Sequence, residues 1–164
     1  LVLATYNVEN YLATDRMVDG VFRQNYPKPE AEKRALRSVI AATGADVVAL
    51  QEMGAGPYLE ELKRDLAAEG HPYPYAELLE GPDQDRHLAV LSKRPFAAVR
   101  KHVDLGFAYF GARESVKRGL LEVRFATEAG EVTLFVVHLK SRLTERDDDP
   151  NSALRRQAEA EAVR

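Results

Sequence analysis

The chain has 164 residues, 45% of them hydrophobic, which is the length of one domain that buries roughly 70% of its unfolded surface. It contains no cysteine, so disulfide scaffolds, zinc–thiolate sites and thiol catalysis are excluded. A formal net charge of -3 argues against nucleic-acid binding through bulk positive charge but allows a local basic rim. The apolar runs are too short for a membrane span. We therefore expect a soluble protein, either cytoplasmic or exported after signal removal.

The first predicted element is a strand at residues 2–7, which is apolar almost throughout. Residues 8–29 contain Gly20, Pro27 and Pro29, and this pattern predicts a long irregular loop. Loops of such length inside a compact domain are uncommon unless they are functional. We therefore expect this segment to contribute to the rim of a site.

Helices and strands alternate after that loop. A helix is predicted at residues 30–43, where apolar residues recur on one face and Gly44 ends the pattern. A strand follows at residues 46–51. A second helix begins at Pro57, carries a stripe of leucines and ends at Gly70.

The rest of the chain reads mainly as strands. They are predicted near residues 73–79, 87–92, 96–103, 119–126 and 131–138, the last two forming a hairpin. A final helix is predicted from about residue 152, with Ser152 as its candidate N-cap. The run from Arg146 to Asp149 precedes that helix, and we expect it to be a solvated loop, because it lacks the ligand spacing of a calcium loop.

Three apolar runs end abruptly in side chains that can carry chemistry. LVLATY stops at Asn7, DVVAL stops at Gln51 and Glu52, and VTLFVV stops at His138. Since a buried strand carries only apolar side chains, functional groups are placed where the strand ends. A carboxylate, an amide and an imidazole at one edge suit a hard metal ion and a phosphate ester.

Each of these three residues also has an ordinary structural interpretation. Glu52 alone would most often be the first solvated residue after its strand, and Asn7 would most often form an Asx turn. His138 alone is favoured as a strand-end histidine whose ring bonds a backbone carbonyl. The other histidines, His71, His87 and His102, occur in no ligand spacing and are expected to be surface or structural residues.

Five segments, in order, resemble the successive blocks of one enzyme superfamily. They are TYNVENYL near the start, ADVVALQE at 45–52, HLAVLSKRP at 87–95, RGLLEVRF at 118–125 and FVVHLKSR at 135–142. Together they resemble the endonuclease/exonuclease/phosphatase superfamily, which includes DNase I-like nucleases, sphingomyelinases and inositol-phosphate phosphatases. The resemblance implies a four-layered α/β sandwich, with two mixed sheets packed face to face and helices outside, and hydrolysis of a phosphate ester that depends on Mg²⁺ or Mn²⁺.

The resemblance also assigns roles to individual residues. It implies that Glu52 binds the metal and that Glu9 serves a second metal position, although Asn10 is an alternative there. Asn7 positions the phosphate and the carboxylate, and His138 contacts the phosphate and assists the leaving group. Arg118 matches a basic residue near the phosphate, with Lys117, Arg113 and Arg124 as alternatives close in sequence and Lys140 and Ser141 as weaker candidates.

Two blocks of that family have no counterpart here. Its members continue to a Gly-Asp-x-Asn block, linked to water activation, and end in an Asp-His block. We therefore expect residues 1–164 to be the amino-terminal part of a single domain, incomplete at its carboxyl end. Alone it would be inactive, because catalytic groups that act as a unit are strongly non-additive. It would also associate through the uncovered half-domain surface, because apolar area there would be left exposed.

The expected substrate is a phosphodiester of nucleic acid. Basic and aromatic side chains of the predicted 8–29 loop are suggestive of such a substrate, namely Tyr11, Arg16, Arg23, Tyr26 and Lys28. One alternative is a phosphodiesterase or phosphatase that acts on a small or lipid-derived phosphate. Another is a non-catalytic half-domain that serves binding or assembly.

Overall fold

Two β-sheets lie face to face, and two helices cover the far side of the larger sheet. These features come from a computed structural model that describes residues 1–144 and 146–164. The helices are α1 (Glu30–Thr43), α2 (Gly56–Ala68) and α3 (Ala153–Val163). A short 3-10 helix at Pro150–Ser152 precedes α3. Within the described residues, the helices are all too short or too polar to cross a membrane.

The strands fall into two sheets and two separate hairpins. Sheet one has the order β1-β4-β6-β5, sheet two has the order β11-β10-β7, and the hairpins are β2-β3 and β8-β9. Their bounds are β1 Leu3–Tyr11, β2 Thr14–Val18, β3 Val21–Tyr26, β4 Val47–Met53, β5 Tyr75–Leu79, β6 His87–Ser92, β7 Ala98–His102, β8 Gly106–Tyr109, β9 Ala112–Ser115, β10 Leu120–Thr127 and β11 Gly130–Val137.

Strands β1 and β4 are parallel, and this places their carboxyl ends at the same edge of sheet one. Their register pairs Asn7 with Gln51. All four residues Val47–Leu50 of β4 are buried, because helices cover one face of the sheet and sheet two covers the other. Polar side chains can therefore appear only where the strand ends, at Gln51 and Glu52.

The core has two layers. Between the sheets, residues of β4 and β6 pack against Leu121, Val123 and Phe125 of β10. On the other face of sheet one, α1 and α2 bury an aliphatic stripe, namely Leu36, Ile40, Leu59, Leu62 and Leu66. Each such side chain contributes about 1.5–3 kcal/mol by leaving water. The α3 helix packs against β8, so the described residues form three layers, and the fourth layer of the expected sandwich stays a prediction.

A polar network ties β1 to the two helices close to the edge that carries Asn7. The Tyr11 hydroxyl donates to Glu61 Oε1 at 2.9 Å, and Lys33 Nζ donates to the same oxygen at 2.5 Å. Burial, followed by the hydrogen bond to Glu61 and its charge, raises the pKa of Tyr11 well above its ordinary value. The phenol therefore stays protonated, and the end of β1 is fixed in position.

The prediction of a long loop at residues 8–29 is wrong. Strand β1 continues to Tyr11, and β2 and β3 form a hairpin that ends before Lys28. The hairpin turn is Asp19-Gly20, whose φ angles of 50° and 76° are both positive, as the twist of a two-residue hairpin requires. The signal was an Asp-Gly pair between two short apolar runs.

The expectations for the chain before α3 need two corrections. Ser152 makes no side-chain cap; its hydroxyl donates to the Leu143 carbonyl at 3.0 Å. Asp149 binds the first turn instead, accepting from the Leu154 and Arg155 amides at 2.8 and 3.1 Å. Asp149 is also buried, so the predicted solvated loop does not extend to it.

Gly119, between Arg118 and β10, is the glycine with the strictest backbone requirement. Its φ is +67°, and an added Cβ would lie 2.6 Å from the His102 carbonyl oxygen. Gly44 has a similar φ of +62° but open space around it. We expect Gly119→Ala to lower the free energy of unfolding by about 3 kcal/mol and Gly44→Ala by about 1 kcal/mol, because only the first adds a steric clash to the left-handed backbone. Urea unfolding of both variants measures the difference, and equal losses would contradict the close approach.

Candidate functional site

The Glu52 carboxylate is held by two hydrogen bonds at the carboxyl edge of sheet one. The Asn7 side-chain Nδ2 donates to Oε1 at 2.9 Å, and the Asn10 backbone amide donates to Oε2 at 3.1 Å. Glu52 itself has a φ of 62°, a left-handed backbone that is uncommon for a residue other than glycine. The strand pairing is thus interrupted at Glu52 and resumes at Met53, and both carboxylate oxygens have fixed positions.

The irregular part of β1 from Asn7 to Asn10 positions the groups that bind Glu52. The Glu9 amide donates to Asn7 Oδ1 at 2.8 Å, so both ends of the Asn7 amide are engaged and its orientation is defined. Glu9 and Asn10 have φ angles of 51° and 56°, and the β1–β4 register shifts between Asn7 and Tyr11. Consecutive left-handed residues cost free energy and persist where surrounding contacts hold them, often at functional sites.

His138 follows β11 and faces the same carboxylate. Its Nε2 lies 3.7 Å from Glu52 Oε1, and 22% of its side chain is exposed. Its Nδ1 is buried without a hydrogen-bond partner among the described residues. Burial, followed by the positive charge of Arg118, lowers the pKa of His138 below its ordinary value, although Glu52 acts in the opposite direction. The imidazole is therefore neutral at neutral pH.

Arg118 is held beside this group by Asp83. Its Nε lies 3.0 Å from Asp83 Oδ2. Asp83 also accepts from the Asp85 and Arg86 amides at 3.1 and 3.0 Å. Burial would raise the pKa of Asp83, but these amides, followed by the Arg118 charge, lower it overall. Asp83 is therefore ionised at neutral pH and fixes the Arg118 guanidinium.

Arg86 links the Asp83–Arg118 pair to the residues that hold Glu52, because its backbone amide binds Asp83 and its side chain binds Asn10. Its Nε donates to Asn10 Oδ1 at 2.7 Å, while the Asn10 amide binds Glu52. Asp83 and Arg86 were not predicted as site residues. The GPDQDR segment does signal a turn in which an aspartate binds the following amides, but its contacts with Asn10 and Arg118 depend on how the strands pack.

The structure brings Asn7, Glu52 and His138 together, with Arg118 nearby. Glu9 is exposed, and it forms hydrogen bonds through its backbone: its amide donates to Asn7 Oδ1 and its carbonyl accepts from Lys28 Nζ at 3.0 Å. The Glu9 carboxylate forms no ion pair within the described ranges, so its role as a metal ligand stays a prediction.

Other basic and imidazole candidates lie elsewhere. Arg124 pairs with Glu122 at 2.8 Å, and His102 lies 2.9 Å from the same carboxylate. Both are on sheet two. His71 is exposed and His87 is buried in β6. Among the alternatives to Arg118, Arg124 is therefore engaged away from the Glu52 carboxylate.

The donor set around Glu52 suits a hard divalent cation that keeps most of its water. In the described part of the chain, no group of three or more histidine or carboxylate side chains is arranged to hold a metal ion. Mg²⁺ does not need one, since it commonly binds through one or two carboxylates, several waters and substrate oxygens. The Glu52 carboxylate, already oriented by Asn7 and Asn10, fits that mode.

Comparisons with known proteins agree with this fold. A model of the Endonuclease/Exonuclease/phosphatase family matches residues 4–163. The structure resembles an endonuclease/exonuclease/phosphatase family protein from Leptotrichia buccalis C-1013-b, with a TM-score of 0.51, 16% identity and 71% of this chain covered. It also resembles a beta hairpin deletion mutant of beta toxin from Staphylococcus aureus, with a TM-score of 0.57, 16% identity and 99% of this chain covered.

The chain spans only about half of these structures, 50% and 57% of their respective lengths. No curated protein matches the sequence. At 16% identity, the two structural neighbours establish a mixed α/β fold with several sheets and few helices, and nothing about substrate.

Proposed function

The chain belongs to the Endonuclease/Exonuclease/phosphatase family, and on that premise we propose that it carries part of the site of a divalent-metal-dependent phosphoesterase. One observation carries the proposal. The Glu52 carboxylate is oriented by Asn7 Nδ2 at 2.9 Å and faces His138 Nε2 at 3.7 Å. A fixed carboxylate beside a neutral imidazole and a guanidinium is suited to a metal ion and a phosphate, not to acyl transfer.

Each residue then has a distinct task. Glu52 would hold Mg²⁺ or Mn²⁺, and the ion, when bound, would neutralise negative charge that develops on the phosphate during hydrolysis. Asn7 orients Glu52. Arg118, fixed by Asp83 at 3.0 Å, places a positive charge near the phosphate oxygens. His138 would hydrogen-bond a phosphate oxygen through Nε2, a contact that strengthens as charge accumulates.

We propose that residues 1–164 are the amino-terminal part of a single four-layered domain. Partial coverage of the structural neighbours supports this. So does a groove of about 370 Å³ between the outer strands β1 and β11. Its apolar rim is exposed: Leu3 at 44%, Phe135 at 57% and Val137 at 37%. Surface of this kind is normally covered by further chain or by a partner.

We propose nucleic acid as the substrate. The alternatives are a small or lipid-derived phosphate, and a half-domain without catalysis that serves binding or assembly. The first alternative is left open by the net charge of -3. The second would be favoured by association through the β1–β11 groove without any hydrolysis.

The test is hydrolysis by the protein that carries this chain, after metal removal and re-addition of Mg²⁺ or Mn²⁺. The panel consists of plasmid DNA, bis-nitrophenyl phosphate and a phosphomonoester. We expect chelator-sensitive hydrolysis with a preference for DNA, and at most a trace from residues 1–164 alone, because separated catalytic groups do not retain a proportional share of activity. Metal-independent turnover, or no turnover of any substrate, would contradict the enzymatic proposal; full turnover by residues 1–164 would contradict the domain proposal.

A further inference from the structure

A polar cavity of about 320 Å³ lies where the β8–β9 hairpin meets α3 and the segment after His138. We call it the basic pocket. It is lined by Tyr109, Lys117, Lys140, Leu143, Thr144, Arg146, Ser152 and Arg155. Four of these eight residues are cationic and none is acidic. The lining therefore has the composition of an anion site.

Two of the four cations are already neutralised. Arg155 pairs with Glu114 at 3.0 Å and lies 3.5 Å from Glu159. Arg146 pairs with Asp148 at 2.7 Å. These two guanidinium groups also pack over the Tyr109 ring, at 5.4 and 5.7 Å from its centre. Arg146 and Arg155 therefore form one fixed side of the basic pocket, and their charges are largely compensated by the paired carboxylates.

The ammonium groups of the other two cations, Lys117 and Lys140, form no ion pair within residues 1–144 and 146–164, although the Lys140 backbone amide donates to Glu159 Oε2 at 2.6 Å. Lys117 is exposed. Lys140 Nζ contacts the Leu143 carbonyl and, at 3.2 Å, Ser141 Oγ. Burial, then the positive charges of Arg118 and Arg155, lowers the pKa of Lys140; Glu159 acts in the opposite direction, and Lys117 lowers it further. An anion bound between the two ammonium groups would relieve that repulsion.

A hydroxyl completes the set of donors. Thr144 Oγ1 accepts from the Arg146 amide at 3.1 Å, so its own proton can be donated to an anion. The Tyr109 and Ser152 hydroxyls donate to Asp149 and to the Leu143 carbonyl instead. The pocket can thus offer two ammonium groups and one hydroxyl to a single phosphate.

The basic pocket adjoins the Glu52 site directly. Lys117 precedes Arg118, and its carbonyl accepts from the Asp83 amide at 2.8 Å. Lys140 follows His138 by one intervening residue. The charge of Arg118 acts on both His138 and Lys140. If one substrate phosphate lies beside Arg118, the basic pocket is therefore the neighbouring positive region for the next phosphate of the same substrate.

We propose that the basic pocket binds a second, uncleaved phosphate of the substrate through Lys117, Lys140 and Thr144, and that this phosphate belongs to a nucleic-acid strand. This inference rests on the proposed function, since the first phosphate is the one hydrolysed at Glu52. A strand presents phosphates in regular succession, whereas a phosphodiester lipid has only the one to be cleaved. The only aliphatic side chain in the lining is that of Leu143, so the pocket offers little to a lipid chain.

The test compares the single variants Lys117→Gln and Lys140→Gln, and the double variant that combines them, with the single-charge control Lys93→Gln in the protein that carries this chain. Lys93 is a matched control, because it is exposed and its amide bonds the Asp46 carbonyl at the opposite, amino-terminal end of β4. Binding of a labelled single-stranded DNA oligonucleotide is measured in EDTA over a range of salt. We expect the double variant to bind roughly tenfold more weakly, with a salt slope smaller by about 1, and Lys93→Gln to match wild type.

Hydrolysis kinetics distinguish a role at the second phosphate from a role at the phosphate that is cleaved. We expect the ratio of kcat/KM for the oligonucleotide to that for bis-nitrophenyl phosphate to fall roughly tenfold in the double variant, since each phosphate contact adds to strand binding. Equal losses on both substrates would place the lysines at the reacting phosphate and overturn the proposal, as would no loss on either.

The binding assay tests the basic pocket even if the protein is shown not to be a hydrolase. If wild type hydrolyses neither substrate, weaker oligonucleotide binding by the double variant still supports the basic pocket, and unchanged binding overturns it. Reduced binding to phosphatidylglycerol vesicles with unchanged oligonucleotide affinity would overturn the choice of nucleic acid. Thermal unfolding of every variant checks that each is folded.

Discussion

Glu52→Gln is expected to reduce Mg²⁺-dependent hydrolysis roughly 10³-fold in the protein that carries this chain, because loss of one carboxylate charge weakens a hard-cation site worth several kcal/mol. The fold should persist. Glutamine keeps one oxygen for Asn7 Nδ2, although its amide group would face the Asn10 amide that now binds Oε2 at 3.1 Å. Turnover is measured over a titration of Mg²⁺, and the half-saturating concentration should rise.

Glu60→Gln provides the control for Glu52→Gln. Glu60 is an exposed glutamate on α2, paired with Lys63, so the same chemical change there should leave turnover and metal dependence unaltered. Glu9→Gln, assayed in parallel, tests the predicted second metal position. Wild-type turnover and metal dependence in Glu52→Gln would refute the assignment of the carboxylate.

His138→Ala is expected to lower kcat by a factor of roughly 10²–10³ with little change in KM, since a contact that strengthens in the transition state is felt mainly in turnover. His138 is half-buried and neutral, with Nε2 3.7 Å from Glu52. Its removal should also leave Arg118 in place, because Asp83 holds that guanidinium at 3.0 Å. Steady-state kinetics with bis-nitrophenyl phosphate measures both constants.

His71→Ala is the matched control, because His71 is exposed just after α2 and lies on neither sheet. Its kinetic constants should equal those of wild type. An effect of His138→Ala confined to KM would show that the imidazole contributes to ground-state binding and not to the transition state. Equal losses in both histidine variants would point to general destabilisation.

Elements with a strong local pattern could be predicted from the sequence. The helix at residues 30–43 and the strand at 87–92 are confirmed at the predicted residues, because periodic apolar residues and a terminal Gly44 specify them locally. The order of the five blocks also indicated the family, which the model match confirms. Glu52 was predictable as a strand-end residue, since β4 is buried on both faces and admits polar side chains only near its end. His138 directly follows β11, as predicted, whereas Asn7 lies within β1, where the pairing with β4 is irregular.

Other features depended on contacts between distant parts of the chain. Nothing local indicated that Asp83 would fix Arg118, that Arg86 would bind Asn10, or that the β8–β9 hairpin would meet α3. Asp149, predicted to lie in a solvated loop, is buried because it caps α3 and accepts from Tyr109 at 2.7 Å. Side-chain periodicity specifies which face of an element is buried, but the partner of a charged group is set by packing, which brings together residues far apart in sequence. The sequence by itself therefore determined strands β1, β4 to β7, β10 and β11, the three helices and the groups at the ends of β4 and β11. The tertiary structure decided the β2–β3 and β8–β9 hairpins, which charges surround Glu52 and which line the basic pocket.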